Sequence, residues 1–193
     1  MALTARKIPR LTFDEYLAFE NASETRHEFV DGLVYAMAGS TDTHGLIAGN
    51  IFAAVHGHLP ASCQAFMSDM KLRIRLDRAE YVYYPDLLVS CAPADRARLW
   101  REQPILLVEV LSPSTARVDE GEKLDHYKRI ASLEEYVIIA QDTMRVEIFR
   151  RANGWSPEFF YADDTVTFTS IDLSLPVSQI YRRVDLGPRD ATA

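Results

Sequence analysis

The chain has 193 residues, 48% of them hydrophobic and 25% charged, which is the size and balance of one ordinary globular domain. It has no run of roughly 18 apolar residues that would span a membrane, and its first residues lack the apolar segment of a secretory signal. The two cysteines, Cys63 and Cys91, have no metal-ligand spacing and predict no disulfide framework, so we expect a cytoplasmic protein. The formal charge of −7 argues against a nucleic-acid binder, although a carboxylate metal site adds negative charge of its own.

The N-terminal third predicts a helix, a hairpin and a second helix. Thr12 and Glu15 fit a capping box that begins a short helix. The pair Asp31-Gly32 is a strong turn signal between two short strands. Apolar residues at helical spacing then predict a helix that begins near His44 and ends before Pro60.

The rest of the chain is rich in β-type segments. Residues 70–76 alternate apolar and basic side chains, whereas residues 83–90 and 105–111 are apolar runs typical of strands buried on both faces. A helix is predicted over residues 117–131 and a further buried strand over residues 136–140. Other β-type segments follow at residues 144–149, 155–161 and 165–169.

These elements predict one α/β domain over residues 1–193. Its mixed central β-sheet is flanked by helices and carries an antiparallel flank, with an N-terminal helix and hairpin. We expect the core to cover about residues 10–182 and to be followed by a short disordered C-terminal tail.

Two carboxylates interrupt the predicted core strands. Glu109 lies inside an apolar run, and an ionised carboxylate buried there needs a metal, a cation or a proton. Because Pro85 cannot donate a ladder hydrogen bond, it places Asp86 at the start of a buried strand. Converging carboxylates suit Mg²⁺ or Mn²⁺. Taken singly, Glu109 is equally well explained by a structural salt bridge and Asp86 by an ordinary loop position.

Basic residues follow and precede these carboxylates. Lys123, on the helix after the Glu109 strand, could orient a water or stabilise phosphate charge, although a solvated helix face also explains it. Lys71, Arg73 and Arg75 share one strand face with a spacing of about 7 Å, close to that of successive phosphates. They are candidates for contact with a phosphate backbone, with a solvated strand face as the alternative.

Together these segments resemble the PD-(D/E)XK nuclease superfamily and, more closely, the Uma-two family of predicted restriction endonucleases. The resemblance runs in order over about residues 10–150, and its most specific part is Glu109-Val110-Leu111-Ser112-Pro113-Ser114-Thr115. The other matching segments are residues 26–32, 84–89, 121–127 and 135–136.

The resemblance implies a restriction-endonuclease-like core in which Asp86 and Glu109 hold the metal. It also implies that Glu28, on the N-terminal hairpin, is the accessory carboxylate of the site. His44 matches a position where the family tends to carry histidine, so it is a candidate accessory residue, although a hydrogen-bonded position at the start of a helix explains it equally well. Asp69, just before the basic strand, is a further accessory candidate.

One position departs from the pattern of the superfamily. Residues two apart on a strand share a face, so a Glu-x-Lys pair aims both side chains at one site. Leu111 occupies that lysine position here. The resemblance suggests that a lysine on the following helix replaces it, with Lys123 as first choice and Lys128 as second.

The preferred function is therefore a Mg²⁺- or Mn²⁺-dependent endonuclease that hydrolyses DNA, with no nucleotide cofactor and with a homodimer as the expected assembly. The displaced lysine and the acidic balance leave a second function open, a DNA-binding or regulatory protein that retains the fold without the activity. A third is a carboxylate-pair hydrolase of another substrate, such as a glycosidase, which would need no metal.

Overall fold

The computed structural model describes residues 10–37, 39–111 and 119–187. The predicted C-terminal tail and the Ser112-Pro113-Ser114-Thr115 segment lie outside these residues. Among the described residues, no helix is long and apolar enough to cross a membrane.

The described residues form four α-helices and thirteen strands. The helices are α1 (Phe13–Ala22), α2 (Asp42–His58), α3 (Leu124–Tyr127), which continues a π-helical turn at Asp119–Lys123, and α4 (Val177–Ile180). The first strands are β1 (His27–Val30), β2 (Leu33–Ala36), β3 (Gln64–Met67), β4 (Lys71–Leu76), β5 (Ala79–Tyr83), β6 (Leu87–Ser90) and β7 (Trp100–Arg101). The others are β8 (Leu106–Val110), β9 (Glu135–Ile139), β10 (Arg145–Arg150), β11 (Pro157–Tyr161), β12 (Thr165–Phe168) and β13 (Leu173–Pro176).

Local sequence signals form the N-terminal elements as predicted. The Thr12 hydroxyl accepts a hydrogen bond from the backbone N–H of Glu15, whose carboxylate accepts one from the backbone N–H of Thr12. This capping box begins α1. Asp31 and Gly32 both have positive φ angles, 45° and 89°, as a tight turn between β1 and β2 requires. The predicted helix cap and hairpin are confirmed.

A six-stranded mixed sheet forms the centre of the molecule, in the order β11-β10-β9-β8-β6-β3. Strands β8 and β9 pair in parallel, while the other neighbours are antiparallel. Helices α2 and α4 and the β12–β13 hairpin cover one face of this sheet with apolar side chains. The other face packs against β4, β5 and α3. The α/β fold with mixed sheets and flanking helices is as predicted.

A second sheet has five strands in the order β2-β1-β5-β4-β7. The apolar run over residues 83–90 is divided between the two sheets, because β5 ends at Tyr83 in this sheet and β6 begins at Leu87 in the other, directly after the strand start predicted at Asp86. Pro85 lies between them, where the absence of its N–H interrupts no ladder. The Tyr84-Pro85-Asp86 segment therefore connects the two sheets.

The prediction that the two cysteines make no disulfide is wrong. Strands β3 and β6 are antiparallel with Gln64 opposite Ser90, so the next pair outward is Cys63 and Cys91, which are joined by a disulfide. The two residues are 28 positions apart in sequence. Because spacing alone does not reveal strand register, the pairing becomes visible only in the folded sheet.

Candidate active site

Two carboxylates meet at one end of the six-stranded sheet. Leu87 of β6 lies opposite Val108 of β8, and the same register continued by one residue places Asp86 opposite Glu109. Opposite residues of antiparallel strands point to the same face, with Cβ atoms about 5 Å apart. The backbone N–H of Val110 donates to Asp86 Oδ2 at 2.7 Å and fixes this arrangement.

A buried lysine joins this pair to a third carboxylate from the other sheet. Lys123 Nζ lies 3.2 Å from Glu109 Oε1 and 2.9 Å from Glu28 Oε1 on β1. The exposed fractions are 9% for Asp86 and 4% each for Glu109 and Lys123. The acid cluster, meaning Glu28, Asp86 and Glu109 around Lys123, thus lies between the two sheets. The structure brings together the four residues predicted to be catalytic.

The short helix α3 determines where Lys123 lies. Leu124 and Tyr127 are buried in the core between the sheets, which anchors the helix against β4 and β8. Glu109 points to the same face of the sheet as Leu107 and Leu111, since residues two apart share a face. Lys123, directly before Leu124, is therefore held next to Glu109. The predicted helix is shorter than expected and ends at Tyr127.

Tyr127 adds a hydrogen bond that sequence reasoning missed. Its hydroxyl donates to Glu109 Oε1 at 2.9 Å. Burial raises the pKa of Tyr127 well above its ordinary value, and the nearby Glu109 raises it further, so the hydroxyl remains a donor. The sequence predicts Tyr127 as part of an apolar helix edge. The available signal was its position four residues after Lys123, which places both side chains on one side of a helix.

His44 contacts the acid cluster from the opposite side of the central sheet. Its Nε2 lies 3.1 Å from Asp86 Oδ2. The Thr41 hydroxyl accepts a hydrogen bond from the backbone N–H of His44 and caps the start of α2. This cap fixes the first turn of the helix and with it the histidine. His44 therefore lies in the first turn of α2 and next to Asp86, close to where the sequence predicted it.

An aromatic group borders Lys123. The centre of the Tyr83 ring is 5.4 Å from Lys123 Nζ, and the Tyr83 hydroxyl lies 2.8 Å from His126 Nδ1. Burial lowers the pKa of His126, which favours the neutral imidazole. His126 therefore adds no permanent positive charge beside the acid cluster.

Two of the accessory candidates lie elsewhere. Lys128 Nζ lies 5.9 Å from the centre of the Phe149 ring. The side chain of Asp69 is 81% exposed and forms an ion pair with Arg26. Neither makes a contact with the acid cluster among those described, whereas Lys123 does, so the first choice of lysine is the one that the geometry favours.

The basic stripe on β4 is mostly covered. Lys71 is buried. Arg73 Nη2 lies 2.6 Å from Glu80 Oε1, and its guanidinium lies 3.5 Å from the centre of the Phe13 ring of α1. The side chain of Arg75 is 61% exposed. Arg75 is thus the member of the stripe that solvent reaches most readily.

The acid cluster offers carboxylate oxygens, which are the donors that hard divalent cations prefer. Within the described ranges, no three His, Cys, Asp or Glu side chains are already arranged to hold a metal ion. Mg²⁺, however, commonly binds through one or two carboxylates and keeps several of its waters. Asp86 and Glu109 are two such carboxylates on adjacent strands, so the residues fit Mg²⁺ or Mn²⁺.

This chain is similar to known proteins in sequence and in fold. The family model described as "Uma2: Putative restriction endonuclease" matches residues 13–178. The uncharacterized protein slr1290 of Synechocystis sp. is 33% identical over 178 residues, which cover 90% of this chain and 93% of that protein. The uncharacterized protein sll1609 of the same organism is 31% identical over 155 residues, which cover 78% of this chain and 85% of that protein.

The crystal structure of "a putative nuclease belonging to DUF820" from Anabaena variabilis superposes with a TM-score of 0.72 at 18% identity. The superposition covers 89% of this chain and 97% of that one, and it shows a common fold. The resemblance inferred from the sequence is confirmed: the chain belongs to the Uma2 family, whose members are described as putative restriction endonucleases.

Proposed function

We propose that this protein is a metal-dependent endonuclease that hydrolyses phosphodiester bonds in DNA. Membership of the Uma2 family supports a nuclease. The observation that carries the proposal is the contact of Lys123 with both Glu28 and Glu109, beside Asp86 on the adjacent strand. A site in which a lysine contacts two acids beside a third has the groups that phosphoryl transfer requires.

The residues of the acid cluster would have different roles in the reaction. Asp86 and Glu109 would hold Mg²⁺ or Mn²⁺, with Glu28 as the accessory carboxylate. When bound, the ion would polarise the scissile phosphate and lower the pKa of a water. Lys123 would stabilise the negative charge that develops on the phosphate or orient the water.

Two neighbours would hold the carboxylates in place. The Tyr127 hydroxyl fixes one oxygen of Glu109, and His44 contacts Asp86 Oδ2. Groups that orient metal ligands in this way strengthen metal binding and activity.

The substrate proposal concerns DNA and its backbone. With a formal charge of −7, contact with DNA must come from local positive groups rather than from the overall field. Within the predicted stripe of Lys71, Arg73 and Arg75, the exposure of Arg75 suits phosphate contact best. Arg75→Ala is expected to weaken DNA binding modestly and to reduce its salt dependence.

We further propose one domain, acting as a homodimer, since two sites are needed to cut both strands together. Light scattering on the purified chain tests the dimer.

A cytoplasmic location, where DNA is present, is proposed as well. The Cys63–Cys91 disulfide argues in the other direction, because disulfides are rare in reducing compartments. Thiol titration of protein taken directly from cells decides between the two.

The first test is cleavage of plasmid and single-stranded DNA with Mg²⁺ or Mn²⁺, with and without EDTA. We expect metal-dependent nicking that EDTA and Asp86→Ala both abolish. Asp69→Ala is the matched control, since it removes an aspartate that lies outside the acid cluster. Cleavage that survives in Asp86→Ala would contradict the proposed site.

The second candidate is a nuclease-fold protein that binds DNA without cutting it. Leu111 at the usual lysine position and the absence of a preformed three-ligand group among the described residues favour this reading. Lys123→Ala separates the two candidates. A nuclease must lose cleavage in this variant, whereas a protein that only binds DNA shows no cleavage in the wild type and retains its DNA affinity.

A further inference from the structure

Glu20 is a buried carboxylate outside the acid cluster. Glu20, in the last turn of α1, is 7% exposed. Its Oε1 accepts hydrogen bonds from the Tyr84 hydroxyl at 2.5 Å and from the backbone N–H of His27 at 3.1 Å. Its Oε2 lies 3.1 Å from His27 Nδ1. The sequence predicts His27 as a surface or ordinary structural histidine and assigns no role to Glu20.

The partners of Glu20 are neighbours of the metal-site candidates. Tyr84 precedes Asp86 by two residues, and His27 directly precedes Glu28. Asp86 and Glu28 belong to segments that run into different sheets. Glu20 therefore bonds at once to a residue next to Glu28 and to a residue close to Asp86, and it adds these bonds to the β1–β5 ladder.

Tyr84 belongs to the connector between the two sheets. The Tyr84-Pro85-Asp86 segment lies between β5 and β6, outside both strands, and Pro85 has no N–H to donate. Tyr84 is buried, and Lys71 Nζ lies 5.2 Å from the centre of its ring. The bond from its hydroxyl to Glu20 thus forms away from water, where hydrogen bonds are strong and directional.

The other partner of Glu20 is supported as well. The Tyr16 hydroxyl, also from α1, donates to the backbone carbonyl of His27 at 2.7 Å. The start of β1 is thereby bonded to α1 through both its N–H and its C=O. Since His27 adjoins Glu28, these bonds restrict the backbone that carries the accessory carboxylate.

We propose that Glu20 is a positioning residue of the metal site: through Tyr84 and His27 it holds Asp86 and Glu28 at the separation that a bound divalent cation needs. This inference rests on the proposed function, in which those two acids bind the metal. Loss of a supporting hydrogen bond around metal ligands typically weakens metal binding by about 10- to 100-fold. Because Glu20 acts through the backbone, we expect about tenfold.

The test compares Tyr84→Phe, which removes the hydroxyl alone, with wild type and with Ser90→Ala. The Ser90 hydroxyl is likewise buried and donates to the backbone carbonyl of Gln103 at 2.9 Å, but it lies at the opposite end of β6 from Asp86. Mn²⁺ affinity is measured on the full chain by electron paramagnetic resonance. A second readout is the ¹⁵N–¹H resonance of Val110, whose amide donates to Asp86.

We expect Tyr84→Phe to bind Mn²⁺ about tenfold more weakly and to move the Val110 resonance, with Ser90→Ala like wild type in both. Unchanged Mn²⁺ affinity and an unchanged Val110 resonance in Tyr84→Phe would overturn the positioning role, as would equal changes in Ser90→Ala. If wild type binds no Mn²⁺, the proposed function fails, and the Val110 resonance alone decides whether Tyr84 positions Asp86. Should Tyr84→Phe not fold, Glu20→Gln replaces it, because its neutral amide weakens the same bond.

Discussion

Two buried glutamates at opposite ends of the parallel β8–β9 pair have very different surroundings. Glu135, at the start of β9, lies 2.8 Å from Arg150 Nε. It also accepts hydrogen bonds from the backbone N–H and hydroxyl groups of Thr169 and Ser170. Burial raises the pKa of Glu135, but hydrogen bonds from Ser170, Arg150 and Thr169 outweigh burial, and its pKa is lower than usual. This carboxylate is charged and amply supplied with donors.

Glu109, near the end of β8, shares the ammonium of Lys123 with Glu28 and lies opposite Asp86. Three acids therefore gather at one place, whereas Glu135 has an arginine and four further donors. A glutamate inside an apolar strand is therefore not in itself a sign of function. Like charges that are crowded beside a shared cation are the better sign. Their mutual repulsion lowers the stability of the fold, and a purely structural site has no need of it.

Glu109→Gln tests the glutamate to which we assign a function, and it has the largest expected effect. We expect cleavage to fall by at least about 10²-fold, since loss of a group that organises transition-state charge typically costs that much. The melting temperature should change little, because the loss of the ion pair with Lys123 opposes the relief of repulsion among the three acids. Plasmid nicking and calorimetry measure the two effects, and wild-type cleavage by this variant would show that Glu109 is structural.

Glu135→Ala tests the glutamate to which we assign a structural role. It leaves Arg150 without its buried carboxylate partner, which should lower the free energy of unfolding by about 3 kcal/mol. Mn²⁺ affinity should not change. Urea unfolding measures the loss, and Glu158→Ala is the control. It removes the more exposed partner of Arg150 and should cost less than about 1 kcal/mol. Equal losses in both variants would contradict the structural assignment of Glu135.

Tyr127→Phe sharpens the comparison by removing one donor from Glu109. A hydrogen bond to a charged group contributes about 2 kcal/mol, and we expect a loss of that size in the free energy of unfolding. Cleavage should fall by about tenfold, less than in Glu109→Gln, because Lys123 still contacts the carboxylate. Cleavage rates and urea unfolding are measured together. A loss of stability with unchanged cleavage would limit Tyr127 to packing.

The pH dependence of stability gives the smallest expected effect. Burial lowers the pKa of His126, so protonation favours the unfolded chain. Stability should therefore fall as the pH drops below about 6.5, the ordinary pKa of histidine, until the lower pKa of the folded state is passed. His126→Asn should reduce this slope. Urea unfolding at pH 7 and pH 5 measures it, and identical slopes for variant and wild type would rule out His126 as the cause.

Features that depend on neighbours in sequence were predictable. The capping box at Thr12, the turn at Asp31-Gly32 and the helix start near His44 are local patterns. The candidate site residues Asp86 and Glu109 stood out because polar groups interrupt apolar strands. The family resemblance identified Lys123 rather than Lys128 as the first choice, and the contacts favour the same lysine.

Features that depend on packing were not predictable. Arg73 reads as outward-facing on an alternating strand, but α1 brings Phe13 over it. The division of residues 83–90 between two sheets and the pairing of Cys63 with Cys91 follow from strand order and register. The Tyr127 and Glu20 hydrogen bonds require side chains from separate elements to meet, and beyond the helical spacing of Lys123 and Tyr127 the sequence contains no signal for them.

The three-residue connector also limits how far the two sheets can move relative to each other. Three residues extend at most about 11 Å, so Tyr84-Pro85-Asp86 is a short tether between the two sheets. Glu28 and Glu109 lie on opposite sides of that tether and share Lys123. The two sheets therefore cannot separate widely at this edge. In the proposed nuclease, side chains rather than whole sheets would move at this edge to receive the DNA.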